Sequence, residues 1–402
     1  MDIFERIKKE RGPIGKHQSI LEGDFAFPKF TGKISNRVSF KEKVLINWSY
    51  NNYLGLANSE EVRNIDSYAS SRWGITYPMG SRMMTGDTYL HDTFENNMAS
   101  FLKMENALVL NFGYQGMFSI IDCLLKSTDV VISDEQCHAC TIDGIRLHKG
   151  SRLVFKHNNI ESLEEKIKEA KQIISKTKGG ILVVTEGVFS MSGTKGKLKE
   201  ICALKKIYNF RLLVDDAHGF GVAGLEGNGS VCEANLENEV DLYFTTFTKS
   251  MASFGAIIAG KKEIINYFKY NLRSQIFSKS LPMSIVYGLN ERLKIIMKSN
   301  DKREKLFKIT NLLQNGLKEK GFLSHTLNTC ITPIYFNIEL NHVLKLQREL
   351  VYDFGIYCSV IIYPVVPKDV VIFRLTSTSL HSNKDVTHTL QSFDKVFKKY
   401  IK

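Results

Sequence analysis

Lys249 stands in Thr246-Phe247-Thr248-Lys249-Ser250-Met251-Ala252-Ser253, among small and hydroxyl-bearing residues at the end of the apolar stretch Asp241–Thr246. An amine at the end of a buried strand loses water, so its pKa falls and it becomes a nucleophile able to form a Schiff base. Four other apolar stretches end in comparable chemistry. Val214-Asp215-Asp216-Ala217-His218-Gly219 closes one with two carboxylates and an imidazole, groups that are costly to bury without a task. Glu186-Gly187-Val188-Phe189-Ser190-Met191 closes another with a carboxylate and a hydroxyl. Asp134-Glu135-Gln136-Cys137-His138-Ala139-Cys140 sets a His between two cysteines. No second Cys pair lies at a matching distance, so the four ligands of a zinc site are not supplied and no metal is expected. Asn111-Phe112-Gly113-Tyr114-Gln115-Gly116 puts glycines where a helix N-terminus can hold a phosphate.

Gly219-Phe220-Gly221-Val222-Ala223-Gly224 satisfies the G-x-G-x-x-G spacing. The next residues, Leu225-Glu226-Gly227-Asn228-Gly229-Ser230, are too rich in glycine to continue the helix that a dinucleotide fingerprint requires, so no dinucleotide is expected. An acid, a His, a lysine and a glycine-rich phosphate seat at successive strand ends meet instead the needs of pyridoxal 5'-phosphate (PLP). Those needs are a Schiff-base amine, a carboxylate that keeps the ring nitrogen protonated, and phosphate donors.

The elements that must position these groups are legible. Short apolar runs at Ala107–Asn111, Asp129–Ser133, Arg152–Lys156, Gly180–Thr185, Arg211–Asp215, Asp241–Thr246 and Ala256–Gly260 read as strands covered on both faces. Amphipathic helices separate them. In Glu161–Lys176, Leu163, Ile167, Ala170 and Ile174 recur at helical spacing, with Asn158 or Asn159 as cap. The pattern predicts an α/β fold with a mainly parallel sheet, whose ligand lies beyond the carboxyl ends of the strands. Past residue 285 the rhythm changes to a charged helical stretch, Asn290–Lys320, then strands at Thr332–Ile338, Cys358–Tyr363 and Val370–Thr376, and a closing helix. The expected division is an N-terminal segment 1–45, irregular or helical, a large domain 46–285 and a small α+β domain 286–402.

The chain has 402 residues, enough for two domains, and 43% apolar against 24% charged residues, which excludes broad disorder. No apolar run reaches the length of a membrane span, and the first residues lack the apolar core of a secretory signal. Seven scattered cysteines suit a reducing compartment, so a cytoplasmic location is expected. The net charge of +12 favours anionic partners. No zinc-finger, RNP-type or basic-plus-heptad pattern accompanies it, so nucleic acid is not expected.

From Trp48 onward the chain resembles the α-oxoamine synthases, PLP enzymes of fold type I. The motifs occur in order: Asn51-Asn52-Tyr53-Leu54-Gly55-Leu56; Gly80-Ser81-Arg82 with Gly86, His91 and Glu95; His138-Ala139 leading to Asp143-Gly144; Glu186 to Met191; Asp215 to His218; Thr246 to Ser250; and Arg374. The resemblance implies a fold-type-I transferase with a seven-stranded sheet and a smaller C-terminal domain. It implies that Lys249 is the Schiff-base lysine and the base for the α-proton, that Asp215 faces the pyridine nitrogen, and that His218 donates to the phenolate oxygen. His138 stacks on the ring. Gly113, Tyr114 and Thr246 contact the phosphate or ring edge, with Glu186 and Ser190 also at the cofactor. Ser278 or Ser280 reaches a phosphate across a homodimer interface, and Asn52 and Arg374 take the substrate carboxylate.

The reaction so implied is a decarboxylating Claisen condensation of an amino acid with an acyl thioester, carried by CoA or acyl carrier protein. His138 is a candidate donor to the thioester carbonyl. Residues 248–253 and 189–191 are most similar to the bacterial serine palmitoyltransferase branch, which makes serine the first expectation, a 3-oxo amino lipid of the sphingolipid type the product, and peripheral contact with anionic membrane reasonable. Met83-Met84-Thr85, Cys137, Cys140 and Ala256 depart from that branch and leave cysteate, glycine and alanine open. The alternatives are therefore a cysteate fatty-acyltransferase for sulfonolipids, a glycine C-acetyltransferase, an 8-amino-7-oxononanoate synthase or, more distantly, an aminotransferase.

Overall fold

The computed structural model describes residues 2–337 and 339–400. In chain order its strands are β1 (Arg37–Phe40), β2 (Lys43–Asn47), β3 (Asn106–Leu110), β4 (Val130–Asp134), β5 (Ser151–Phe155), β6 (Ile181–Glu186), β7 (Arg211–Asp215), β8 (Leu242–Thr246), β9 (Ala256–Gly260), β10 (Ile331–Phe336), β11 (Ile356–Tyr357), β12 (Ser359–Ile361) and β13 (Val371–Thr376). By contact density the chain forms two compact units. One comprises residues 59–190 and 194–303, the other 1–58, 191–193 and 304–402.

The first of these units holds one seven-stranded sheet in the order β3-β9-β8-β7-β6-β4-β5. Strands β5, β4, β6, β7 and β8 run parallel, and β9 is antiparallel to both β8 and β3. Each lies within one residue of its apolar run. Strands β4, β6, β8 and β9 are buried along their whole length, which is why they read as unbroken apolar stretches. At the edge, β5 alternates between buried and open positions. The helix Ile160–Thr177 is capped by Asn159, whose side chain accepts from the Ser162 N–H at 2.7 Å, and it buries Leu163, Ile167 and Ala170. The helices Gly113–Leu124 and Ala139–Leu147 pack so closely that a Cβ on Gly144 would lie 2.9 Å from the Phe118 Cα.

The other unit has two three-stranded sheets, β1-β2-β11 and β10-β13-β12, over a core that includes Trp48, Leu313, Leu346, Phe373 and Phe393. Trp48 stacks on His381 at 3.8 Å between ring centres and donates its indole N–H to Thr389. Two expectations need correction here. Residues 37–47 are not irregular but form a hairpin, β1 and β2, completed by a parallel pairing of β2 with β11. The stretch Asn290–Lys320 is two helices, Met283–Lys298 and Asn300–Glu319, broken at Ser299. The expected strand Thr332–Ile338 is β10; Ile338 lies outside the described residues.

Candidate active site

In an open parallel sheet the ligand crevice forms where strand order reverses, because the loops from the two neighbouring strands diverge there. Here the reversal falls between β4 and β6. His138, four residues past β4, and Glu186, the last residue of β6, meet at this point: the His138 N–H donates to the Glu186 carboxylate at 2.6 Å. Glu186 is in register with Asp215 at the end of β7, and Lys249 follows β8. The parallel ladder thus brings His138, Glu186, Asp215, His218, Thr246 and Lys249 to one edge of the sheet.

Glu186 and Asp215 are both buried, at 2% and 5% exposure. Burial pushes both carboxyls up. The charge of Asp215 pushes Glu186 further, while Lys249 pulls Asp215 down more than any other neighbour does. Of the two, Asp215 is the one whose charged form the neighbouring lysine favours most among its surroundings. Asp215 also accepts from the Ala217 N–H at 3.0 Å. His138 is exposed, and its pKa is lowered first by loss of water and then by Lys249, against the pull of Asp215.

Lys249 is half-buried in a turn closed by Phe247 N–H to the Gly255 carbonyl (3.0 Å) and Ala252 N–H to the Lys249 carbonyl (3.0 Å). The next residue locks this turn onto the loop after β7, since the Ser250 hydroxyl donates to the Phe220 carbonyl at 2.7 Å. Gly221, at φ +82°, is required there, because a Cβ would fall 2.3 Å from the Ser250 Cβ. The G-x-G-x-x-G run therefore serves loop packing. The next helix after it is the short Ser230–Glu233, not the helix a dinucleotide site needs.

Gly113 opens the helix Gly113–Leu124, whose N-cap Phe112 offers no side-chain acceptor to the first amides. A Cβ on Gly113 would sit 3.1 Å from the Thr246 Cβ and Oγ1, so the glycine preserves a cradle between uncapped amides and a hydroxyl. Such a cradle is a seat for phosphate. The Tyr114 hydroxyl donates to Asp143, and its ring meets His138 edge-on at 6.1 Å. Ser278 is half-buried just past the helix Arg273–Ile276. The Asn111 side chain holds this segment through the Lys279 carbonyl (2.6 Å), and Ser280 is buried with its N–H on the Gly80 carbonyl. Ser190 is buried in the turn after β6. An amine, a buried carboxyl within its electrostatic reach, an exposed imidazole and an uncapped glycine seat form the donor set that PLP requires.

In the second unit Arg374 of β13 is 5% exposed and donates to the Asn51 side chain at 3.3 Å from both terminal nitrogens and to Thr376 at 3.0 Å. Asn52, the residue singled out with it, instead accepts from the Ala57 N–H and takes the Thr378 hydroxyl on its carbonyl. Asn51 is thus a residue that sequence reasoning passed over. Two adjacent asparagines in a turn give no period by which to choose between them.

Asp134 and Asp216, quoted above in their motifs without a role, and His157, which was passed over, act as supports. Asp134 accepts from the His157 Nδ1 (2.9 Å) and from the N–H groups of Gln136 and Asn158, while the Thr194 hydroxyl meets His157 Nε2 at 2.8 Å. The buried Asp216 accepts from Ser230 N–H (2.7 Å) and the Tyr243 hydroxyl (2.9 Å), and both Gly187 and Gly219 leave room for its other oxygen. Burial, only partly offset by those two hydrogen bonds, pushes Asp216 up from 3.8 to about 7. Between these values the unfolded chain releases a proton that the native chain keeps, so stability falls as pH rises through that window. Urea unfolding at pH 4.5 and 7 is expected to show a loss on the order of 2–4 kcal/mol for the wild type that Asp216→Asn lacks. Parallel profiles for the two proteins would refute this.

Residues 43–393 match the family described as aminotransferase class I and II. A cysteate-C-fatty acyltransferase from Capnocytophaga ochracea is 46% identical over 398 residues, 99% of this chain and 95% of that protein. An 8-amino-7-oxononanoate synthase from Thermosipho melanesiensis is 36% identical over 89% of each chain. Among solved structures, a serine palmitoyltransferase from S. paucimobilis with bound PLP superposes with a TM-score of 0.91 at 25% identity, covering 100% of this chain and 99% of the other.

Proposed function

Because the chain belongs to the class I and II aminotransferase family and, within it, to the α-oxoamine synthases, we infer that it is a PLP-dependent C-acyltransferase, and we propose cysteate as its amino acid. The observation that carries cysteate is the 46% identity over almost the whole length of a cysteate-C-fatty acyltransferase, against 36% for an 8-amino-7-oxononanoate synthase and 31% for a serine palmitoyltransferase. Cysteate, named above among the alternatives, is thereby preferred to serine. The reaction joins the α-carbon of cysteate to the acyl carbon of a fatty acyl thioester. It releases the carrier thiol and carbon dioxide and leaves a 2-amino-3-oxo-alkane-1-sulfonate.

PLP supplies a cationic ring that takes up negative charge from the amino-acid α-carbon. We assign its attachment to Lys249, whose amine then takes the α-proton, and the charge beside its nitrogen to Asp215. His218 is our donor to its phenolic oxygen. Gly113, Tyr114 and Thr246 would contact its phosphate or ring edge, Ser278 would reach a phosphate across a dimer interface, and Glu186 and Ser190 would line the seat. His138 would cover the ring face and donate to the thioester oxygen as negative charge develops there. We assign the substrate carboxylate to Arg374, for which its fork geometry is suited, together with Asn52.

A homodimer is supported by an apolar surface within one unit: Tyr77, Met79, Met84, Tyr89 and Phe277 are each more than half exposed. The charge of +12 suits an acidic carrier protein or the phosphates of CoA, and product release at an anionic membrane. No helix among the described residues is long and apolar enough to cross a membrane. We take the setting to be cytoplasmic, since Cys123, Cys137, Cys140, Cys202, Cys232 and Cys358 are thiols.

Purified holoenzyme supplied with a C16 acyl thioester and cysteate, serine, glycine or alanine is the test, read as free thiol and carbon dioxide. At least a tenfold higher kcat/KM for cysteate than for serine is expected. A preference for serine or glycine returns the enzyme to one of the alternatives, and keto-acid formation without carbon dioxide defeats acyl transfer itself.

A further inference from the structure

Cys137 and Cys140 have so far been given no task, although both are buried beside His138. They do not act as a pair. The Cys137 thiol turns to the Val184 carbonyl at 3.6 Å, whereas the Cys140 sulfur lies 3.0 Å from His138 Nδ1. His138 is also the N-cap of the helix Ala139–Leu147, and its Nδ1 receives the backbone N–H of Cys140 at 3.2 Å.

The tautomer follows from these contacts. An amide N–H can only donate, so Nδ1 must present its lone pair, and a neutral ring then carries its proton on Nε2. The sulfur at the same nitrogen must also donate. Burial, with the charges of Asp215 and Glu186, holds the Cys140 thiol protonated, so an S–H is available for this. Two donors therefore converge on Nδ1. Protonating that nitrogen would set a third proton against both.

We propose that Cys140 is a positioning residue that keeps His138 neutral, as the Nε2–H tautomer, with the ring's one N–H turned away from the helix toward the reacting oxygen. The proposal rests on the reading of His138 as a substrate-facing donor. The other groups that face the ring are Asp215 at the end of β7, which favours its protonation, and Lys249 after β8, which opposes it. Glu186 at the end of β6 takes the His138 backbone N–H, and Tyr114, bound to Asp143, meets the ring edge. None of these supplies a contact to Nδ1, so among the described residues the tautomer depends on Cys140 alone.

The test uses full-length holoenzyme labelled with 15N-histidine, without substrate, and reads long-range proton–nitrogen correlations. The His138 signal is assigned by its loss in His138→Gln. The wild type is expected to show an unprotonated Nδ1 across neutral pH. A proton on Nδ1 in the wild type overturns the proposal without any variant. Cys140→Ala keeps the backbone donor and loses the thiol. With the thiol gone the lone pair is held by the 3.2 Å amide contact alone, so the ring can turn off that single donor; the variant is expected to admit a minor Nδ1–H population, to raise the apparent pKa of His138 by about one unit and to lower kcat about tenfold with little change in KM. Cys140→Ser, which restores a donor, is expected to recover most of both changes. An alanine variant with the wild-type tautomer, pKa and kcat refutes a positioning role, as does a serine variant no better than alanine. Should the tautomer be as stated while cysteate is not turned over, the functional reading fails and the assignment of Cys140 stands.

Discussion

Lys249→Ala is expected to lower turnover by at least about a thousandfold, the largest effect of any single substitution in this chain. On the assignment proposed above, the substitution removes the attachment point and the base at once. It leaves the phosphate seat intact, because Gly113 and Thr246 do not depend on the lysine for their approach. PLP should still bind, but non-covalently, and should be lost on dialysis. Lys249→Arg is not expected to rescue, since a guanidinium does not give up its proton at any working pH and cannot act as nucleophile or base. A second consequence is electrostatic. Lys249 is the strongest opposing influence on the buried Asp215, so without it burial is opposed only by the Ala217 N–H and His138 and the carboxyl shifts toward its protonated form. Intact-mass measurement after borohydride reduction checks the first claim: the wild type should carry one PLP adduct and the variant none. An adduct on another lysine, or turnover within tenfold of the wild type, would overturn the assignment.

Arg82→Ala is expected to cost about 3–5 kcal/mol of unfolding free energy, because it strands a buried carboxylate. Arg82 and Glu95 are each 6% exposed. The guanidinium meets Glu95 through both terminal nitrogens and Asp87 through Nε at 2.9 Å, while Glu95 also accepts the Val109 N–H of β3 at 2.7 Å. These contacts fasten the turn at residues 80–86, where a Cβ on Gly86 would strike the Gly80 carbonyl at 2.1 Å. Burial already pushes Glu95 up against the pull of Arg82. Removing Arg82 leaves burial opposed chiefly by the Val109 N–H, so the Glu95 carboxyl shifts further up, toward holding a proton that the unfolded chain would release. A raised carboxyl pKa makes stability fall as pH rises, and the loss should therefore be larger at pH 8 than at pH 5. Arg82→Ala combined with Glu95→Gln should recover part of the loss and remove the pH slope. Guanidinium unfolding at the two pH values is the measurement, and equal losses at both would sink the argument.

The strands of the large sheet were legible because burial on both faces demands an unbroken apolar run, a local signal. Strands β7 and β9 coincide with their runs residue for residue. The direction of β9 was not legible, since an antiparallel strand buried on both faces has the same composition as a parallel one. Nor was the hairpin β1–β2, because part of its stabilisation comes from β11 near the other end of the chain, and pairing at that range leaves no local trace. The break at Ser299 was hidden by helical periodicity continuing on both sides of it.

The amino-acid sequence by itself determined which groups were on offer: an amine at 249, carboxyls at 186 and 215, imidazoles at 138 and 218, and glycines at 113 and 221, each next to an apolar run. These are properties of short segments, fixed by side-chain chemistry and by what a buried strand can tolerate. Tertiary structure alone decided that Glu186 stands beside Asp215, that Arg374 meets Asn51 and not Asn52, and that a cysteine thiol shares Nδ1 of His138 with a backbone amide. Those outcomes depend on strand order and register, which arise from pairing between distant segments, and on distances of about 3 Å that spacing along a chain cannot specify.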